Sequence, residues 1–172
     1  MTDLIRAARI DTLGHDPVVA SVPAPVAGPG QVLLRMSAAA LNFADLLQAK
    51  GQYQERLAAP FVPGLEGAGT VLDCPPGCGL APGMRVVVSA PATMAQVIAV
   101  DPAAVQPIPD AMSFEQAAGF QVAYGTSHLA LTARGQLAAG QTLVVLGAAG
   151  GVGLTAVQIG VALGARVIGM VR

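Results

Sequence analysis

A glycine-rich turn between two apolar runs constrains this chain more than any other feature. The run Thr142–Leu146 leads into GAAGGVG, an apolar helix-like stretch follows, and a second apolar run, Arg166–Val171, comes next. The turn carries the dinucleotide pattern Ala-x-Gly-x-x-Gly, whose small residues allow a tight turn, a close approach to pyrophosphate and close helix packing. We therefore predict a strand–helix–strand unit that holds phosphate at the helix N-terminus. The residues expected to contact the cofactor are Ala148, Gly150, Gly151, Val152 and Gly153. The alternative is a glycine-rich packing turn in an unrelated α/β protein.

The end of the second strand indicates which dinucleotide fits. Units that bind NAD usually place Asp or Glu there, to bind the ribose 2′-hydroxyl. Here no carboxylate ends the strand, and Arg172 follows it. We therefore predict NADP(H), with Arg172 meeting the 2′-phosphate or, alternatively, serving only as a surface arginine.

The composition excludes several classes of protein. Hydrophobic residues make up 53% of the 172 residues and charged residues 11%, which rules out disorder. A net charge of -1 and 3% aromatic residues give no basis for binding nucleic acid. The stretch from Gly135 to Ala165 lacks charge and is long enough to cross a bilayer, but its glycines fit a covered strand–helix–strand unit better. We expect no membrane contact and, without an apolar leader at the N-terminus, a cytoplasmic location.

Residues 1–110 have the pattern of a β-rich domain. Short apolar runs alternate with Pro and Gly, as in a small barrel or sandwich. Among them, NFADLLQAKG predicts a helix with an apolar face of Phe43, Leu46 and Leu47 that stops at Gly51. Further on, SFEQ from Ser113 predicts a capping box, followed by helical sequence to about Arg134 with an interruption near Gly125.

The two cysteines, Cys74 and Cys78, stand close together in CPPGC. They suggest half of a metal site, a redox pair, or simply two thiols in a turn. We favour the last, because a tetrahedral zinc site needs four ligands and the chain has no further cysteine.

Four segments together resemble the zeta-crystallin-like quinone oxidoreductase branch of the medium-chain dehydrogenase/reductase superfamily. They occur in the family's order and are LNFADLLQAKGQY, PFVPGLEGAGTV, FQVAYGTSHLAL and LVVLGAAGGVGLTAVQIGVALGARVIG. The resemblance implies an α/β protein with a β-rich part: a GroES-like catalytic domain at residues 1–120, then a Rossmann domain at 121–172. The latter is incomplete, ending after its second strand. It also implies hydride transfer from NADPH to a quinone or an α,β-unsaturated carbonyl (enone), by a homodimer.

The resemblance also assigns roles to single residues. Zinc-dependent relatives carry catalytic ligands at positions matching Asn42, Leu65 and Ala118, so it implies no metal here. Asn42 is implied to lie by the nicotinamide ribose, and Tyr53 to line the substrate pocket. Thr126 is implied to contact the nicotinamide side.

Two acidic or basic residues near these positions are interpreted as structural. Asp45 is expected to accept hydrogen bonds rather than act as a base, and His128 is expected to be packed rather than catalytic.

Two other functions remain open at this point. One is the enoyl reductase of fatty-acid or polyketide synthesis, which shares the fold and the motif. The other is a non-catalytic remnant that binds nucleotide weakly or serves as a partner subunit. We expect the chain as given to be an incomplete enzyme: a fragment, a truncated gene product or half of a split protein.

Overall fold

The computed structural model describes residues 3–171 of the chain. The chain divides into two compact units, Met1–Gly119 and Phe120–Arg172. The first unit holds the β-rich sequence and the second holds the glycine-rich turn. Each unit is described separately below.

The first unit is built from antiparallel strands in two sheets. A five-stranded sheet has the strand order β6-β3-β4-β5-β7, and β1 pairs with β2 in a two-stranded sheet. The strands are β1 Leu4–Arg9, β2 Val18–Pro23, β3 Val32–Ala39, β4 Glu66–Asp73, β5 Arg85–Ser89, β6 Val97–Val100 and β7 Val105–Pro107. The predicted β-rich domain is confirmed. Two strands, β1 and β7, were not predicted. Strand β1 contains two arginines, and β7 has only three residues, so neither forms a clear apolar run.

The larger buried cluster of the first unit lies on one face of the five-stranded sheet. Side chains alternate across a strand, so Val32 and Leu34 on β3 point to the same face and are fully buried there. Six more aliphatic side chains complete the cluster: Val71, Val86, Val88, Ile98, Val100 and Val105. Full burial of one such side chain stabilises a fold by about 1.5–3 kcal/mol.

Glycines let β3 and β4 approach closely where β4 begins. A Cβ atom on Gly69 would lie 2.0 Å from the backbone oxygen of Arg35, and one on Gly67 would lie 2.8 Å from that of Ala38. The register between the two strands shifts between Met36 and Ala38. Such an irregularity re-aims side chains, and it lies beside the first residue of β4, Glu66.

Two helices flank the sheet in this unit, α1 Phe43–Ala49 and α2 Phe114–Ala118. The predicted stop at Gly51 is confirmed, as is the capping box that begins α2. The predicted apolar face of α1 is wrong as a buried face, because Phe43 and Leu46 are exposed while Asp45 and Gln48 are buried. Backbone N–H groups bind the Asp45 side chain, and this determines which side of α1 is buried.

The second unit contains the predicted strand–helix–strand. It consists of α3 Gln121–His128, a π-helical segment Leu129–Arg134, β8 Thr142–Leu146, α4 Gly151–Ala162 and β9 Arg166–Met170. Strands β8 and β9 are parallel and in direct register. The predicted interruption near Gly125 is wrong: α3 continues through Gly125, and the break lies between α2 and α3. Among residues 3–171, no helix is long and apolar enough to cross a membrane.

Candidate functional site

The turn after β8 is formed by Gly147, which the sequence pattern had not singled out. Gly147 has φ +70°, a left-handed conformation that favours glycine. Its oxygen accepts a hydrogen bond from the Gly150 N–H at 2.9 Å. The Ala148 N–H donates to the oxygen of Met170 at 3.0 Å, so the turn is also attached to the end of β9.

Gly153 has no room for a side chain. A Cβ atom there would lie 2.2 Å from the Gly147 oxygen and 2.9 Å from Cα of Ala148. The start of α4 therefore packs closely on the turn that follows β8, which gives a physical reason for a glycine at this place. Gly160 plays the same part further along α4, where an added Cβ would lie 2.7 Å from the Leu143 side chain. The motif did not point to Gly160.

The beginning of α4 has the features of a phosphate-binding end. The first hydrogen bond of the helix runs from the Leu154 N–H to the Gly150 oxygen, so the N–H groups just before Leu154 have no acceptor within the helix. An added Cβ would meet nothing within 4 Å at Gly151. The space beside the turn is a cavity of about 580 Å³, lined by Leu146, Gly147, Ala149, Gly150, Met170 and Val171. The small residues of the turn therefore leave room for an anion at a positively polarised helix end.

A pair of buried hydroxyls attaches α3 to α4 behind the turn. The Oγ of Ser127 lies 2.7 Å from the Oγ1 of Thr155 and 2.8 Å from the oxygen of Val152. Thr155 Oγ1 also lies 3.1 Å from the oxygen of Ala123, which it reaches as a donor. These residues were missed from the sequence. Helix α4 offered a signal, since Thr155 is a small polar residue in a largely apolar helix, whereas Ser127 is one of several polar residues on α3.

The other predicted residues of this unit lie on the surface or outside the described part. Thr126 and His128 are both exposed on α3. The expectation that His128 is packed is therefore wrong. Arg172 lies outside the described residues, so its predicted contact with a 2′-phosphate stays a prediction.

In the first unit, Asn42 immediately precedes α1 and is bound to a buried acid. Its Nδ2 donates to Oε1 of Glu66 at 3.0 Å. Glu66 is only 1% exposed. Its backbone oxygen accepts from Thr93 Oγ1 at 2.9 Å and from the Ala40 N–H at 3.2 Å. A hydrogen bond to the first residue of β4 thus fixes the side-chain amide of Asn42.

Asp45 holds the backbone on which Asn42 stands. Its carboxylate accepts from the N–H of Asn42 at 2.7 Å and from the N–H of Gly64 at 3.2 Å. Asp45 is 4% exposed. Burial raises the pKa of this carboxyl group, and the two backbone hydrogen bonds partly offset the rise. Its expected role as a structural hydrogen-bond acceptor is confirmed.

Tyr53 follows a well-defined helix end. The Gln52 N–H donates to the Leu47 oxygen at 2.8 Å and the Gly51 N–H to the Gln48 oxygen at 2.9 Å, the paired bonds of a Schellman ending. Gly51 has φ +66°, as that ending requires. Tyr53 itself is half-buried. The same short helix therefore carries Asn42 at its start and Tyr53 just past its end.

The other two positions that match zinc ligands of relatives, Leu65 and Ala118, carry apolar residues. Ala118 is fully buried in a cluster with Ala68, Val87 and Ala117. Leu65 precedes Glu66 and is half-buried. Within residues 3–171 no group of three His, Cys, Asp or Glu side chains could hold a metal ion.

Comparison with known proteins identifies the class of the first unit. Residues 28–110 match the family described as alcohol dehydrogenase GroES-like domain. A probable oxidoreductase from Mycobacterium abscessus superimposes with a TM-score of 0.94 at 39% identity, over 97% of this chain and 55% of that one. The quinone oxidoreductase of Thermus thermophilus, solved also with NADPH, gives 0.85 at 37% identity, over 95% and 52%.

Curated relatives agree with this class. The human synaptic vesicle membrane protein VAT-1 homolog is 43% identical over 85% of this chain and 38% of its own length. A pikromycin polyketide synthase component of Streptomyces venezuelae is 40% identical over 80% of this chain and 4% of its own. Residues 28–110 thus match the alcohol dehydrogenase GroES-like domain, and the chain as a whole is similar to solved oxidoreductases, of which it spans about half the length.

Proposed function

We propose that this protein is the part of an NADPH-dependent oxidoreductase that carries its catalytic domain and the pyrophosphate end of its cofactor site. The observation that carries the proposal is the turn at Gly147–Gly153, where an added Cβ at Gly153 would collide with backbone while the space beside Gly150 stays open. Close packing at Gly153 together with open space beside Gly150 lets a phosphate group approach the backbone of the turn. The NADPH complex of the Thermus thermophilus relative supports the choice of cofactor.

The preference for NADPH over NADH is part of the proposal. The sequence Met170-Val171-Arg172 offers no carboxylate to a ribose 2′-hydroxyl, and a 2′-phosphate beside Arg172 would gain a charge-assisted contact. A contact of that kind is worth about 1.5–3 kcal/mol, or roughly tenfold to a hundredfold in affinity. Equal dissociation constants for NADPH and NADH would contradict it.

When bound, NADPH supplies the hydride, and the chain's own residues orient the reacting groups. The tether between Asn42 Nδ2 and Glu66 fixes the amide so that its other polar atom can face the nicotinamide ribose. Tyr53 offers a phenol that can donate a hydrogen bond to the oxygen of a quinone or enone and deliver a proton there. Thr126 is proposed to contact the nicotinamide. A homodimer and a cytoplasmic location complete the proposal.

Zinc plays no part in the proposed reaction. The side chain of Asn42 is already engaged with Glu66, and Ala118 offers no ligand atom. Polarisation of the carbonyl must then come from hydrogen bonds rather than a Lewis acid. Elemental analysis of the purified protein should find less than one zinc per chain. One zinc per chain that disappears on mutation of Cys74 or Cys78 would overturn this.

A substrate panel tests the reaction. NADPH oxidation is followed with a simple quinone, an unconjugated aldehyde and an α,β-unsaturated ketone, and NADPH binding is measured in parallel. The assay compares the given chain with a version completed to the length of the solved relatives. In the completed protein we expect the quinone and the enone to be reduced and the aldehyde to be untouched, whereas the given chain alone should give negligible reduction. Asn42→Ala and Tyr53→Phe should each lower kcat/KM by about ten- to a hundredfold while NADPH affinity stays within about twofold. NADPH binding without reduction of any acceptor by the completed protein would favour a non-catalytic role.

A second candidate is an enoyl reductase. The polyketide synthase relative, at 40% identity over 80% of this chain, favours it. An enoyl thioester added to the same panel separates the two reactions. A kcat/KM for the thioester well above that for the quinone would select the enoyl reductase.

A further inference from the structure

The CPPGC segment lies between β4 and β5 and contains none of the residues assigned to the reaction above. Its centre is a tight turn: the Cys78 N–H donates to the Pro75 oxygen at 3.4 Å, and Gly77 has φ +78°. Proline followed by a glycine of positive φ defines a type II turn, which brings its first and last residues within about 7 Å. The turn therefore folds Cys78 back toward Cys74.

Both cysteines carry free thiols and pack against the protein core. Cys74 and Cys78 are free and half-buried, and both pack against the core of the first unit. The Cys74 Sγ donates to the Leu80 oxygen at 3.3 Å. Both cysteine side chains thus pack against the same hydrophobic cluster, one at each end of the CPPGC segment. These are the only two cysteines of the chain.

We propose that Cys74 and Cys78 are a redox pair that closes reversibly into an intrachain disulfide under oxidation by a low-molecular-weight disulfide. Burial, together with the nearby Cys78 thiol, raises the pKa of Cys74, which disfavours the Cys74 thiolate. The Cys78 thiolate attacks a sulfur of glutathione disulfide, and one glutathione thiolate leaves. Cys74 then loses its proton to water and attacks the Cys78 sulfur, and the second glutathione leaves. The pair loses two electrons and glutathione disulfide gains them.

The first test equilibrates the native protein in glutathione redox buffers and records intact mass and free thiols. We expect a species that has lost two hydrogens and both thiols and carries no glutathione. The same titration in urea gives the unfolded reference, and the effective concentration of the thiol pair should be at least about tenfold higher in the native protein because the turn preorganises it. A native value equal to or below the unfolded one would overturn the proposal, as would stable adducts with glutathione on both thiols.

A pair of glycine variants tests the role of the turn. Gly77 and Gly79 both have positive φ, and an added Cβ meets nothing within 4 Å at either. Gly77 lies inside the ring that the disulfide would close, and Gly79 lies outside it. Gly77→Ala should lower the effective concentration by roughly 5- to 30-fold, the cost of a left-handed alanine, while Gly79→Ala should leave it within about twofold. Equal effects of the two variants would contradict the proposed role of the turn.

Stability gives an independent measurement that does not depend on either glycine variant. A disulfide that forms more readily in the folded protein must stabilise the fold by the same factor. The oxidised protein should therefore unfold at a higher urea concentration than the reduced protein, and Cys74→Ser should abolish the difference. An oxidised form that unfolds at the same or lower urea concentration would refute the proposal.

Discussion

The two units bury their apolar side chains to very different extents, although their sequences are similarly apolar. In the first unit, alternate residues of β3, β4, β5 and β6 fill one core and are fully buried. In the second unit, Val144 on β8 is 51% exposed and Leu146 at its end is 75% exposed. Hydropathy alone therefore does not tell how a strand is stabilised.

Close approach and hydrogen bonds help to hold the second unit together, beside the buried side chain of Val145. Gly153 and Gly160 bring α4 against β8, and the Ser127–Thr155 pair attaches α3 to α4. A glycine-packed interface fails when any side chain is added, whereas an aliphatic core fails when one is removed. The two units should therefore respond oppositely to changes in side-chain size.

The largest effect is expected from deleting a core side chain in the first unit. Leu34→Ala should lower the free energy of unfolding by about 2–5 kcal/mol, because Leu34 is fully buried among aliphatic neighbours. The matched change in the second unit, Val144→Ala, should cost less than about 1 kcal/mol, because half of Val144 is already exposed. Hydrogen exchange resolved to peptides should show faster exchange in β3 and β4 for Leu34→Ala, with β8 unaffected. Similar losses from both variants would remove the contrast between the units.

Adding one methyl group to the glycine turn should produce the next largest effect. Gly153→Ala places a Cβ 2.2 Å from the Gly147 oxygen, so the turn at Gly147 and the start of α4 must separate. We expect a loss of about 1–3 kcal/mol in the second unit, with weaker NADPH binding. Chemical unfolding measures the loss of stability, and a nucleotide titration measures the loss of NADPH affinity.

Gly125→Ala is the control for that change. Gly125 lies inside α3, and an added Cβ there meets nothing within 4 Å. The substitution should stabilise the helix by about 0.5–1 kcal/mol. If Gly153→Ala were equally harmless, close packing would not be the reason for the glycine.

The hydroxyl pair should give a smaller effect. Ser127→Ala leaves the buried Thr155 hydroxyl with one partner fewer, which should cost about 1–2 kcal/mol. The neighbouring change Thr126→Ala, at an exposed position, should alter stability by less than about 0.5 kcal/mol. Faster hydrogen exchange at the start of α4 in Ser127→Ala alone would confirm the anchoring role. Equal behaviour of the two variants would show that this hydrogen bond contributes nothing.

The sequence predicted those structural elements that depend on residues close together in the chain. The strand–helix–strand at 142–170, the helix stop at Gly51 and the capping box at Ser113 each depend on neighbours within a few residues. The apolar face of α1 was misjudged because Asp45 is bound by Gly64, a residue far along the chain. Local sequence cannot show such a long-range hydrogen bond.

The sequence also predicted only part of the candidate site. The glycine fingerprint predicted the turn and the helix start that are proposed to bind pyrophosphate, but Gly147, Gly160 and the Ser127–Thr155 pair depend on contacts between elements. For Asn42 and Tyr53, the roles came from resemblance rather than from pattern. The structure adds the tether from Asn42 to Glu66, which joins residues that lie far apart in the sequence.

The smallest predicted effect concerns pH and the buried carboxyl group under α1. Burial raises the pKa of Asp45 above its usual value of 3.8, so the folded chain binds this proton more tightly than the unfolded chain does. Its contribution to stability is therefore present below that value and is lost as the pH rises through the pKa of the folded state. Asp45→Asn cannot ionise. It should be less stable overall, because one backbone N–H loses its acceptor, but it should lack this pH dependence.

The measurement is urea unfolding of both proteins between about pH 3 and pH 7. The other carboxyl groups and the histidines that titrate in this range are common to both proteins, so their effects cancel in the difference between them. The difference in free energy of unfolding, wild type minus variant, should shrink as the pH rises and then level off. A difference that grows with pH would mean that the N–H groups of Asn42 and Gly64 outweigh burial and lower the pKa of Asp45. In that case the buried side of α1 would be stabilised by a charge, and the first unit would depend on polar anchoring as the second unit does.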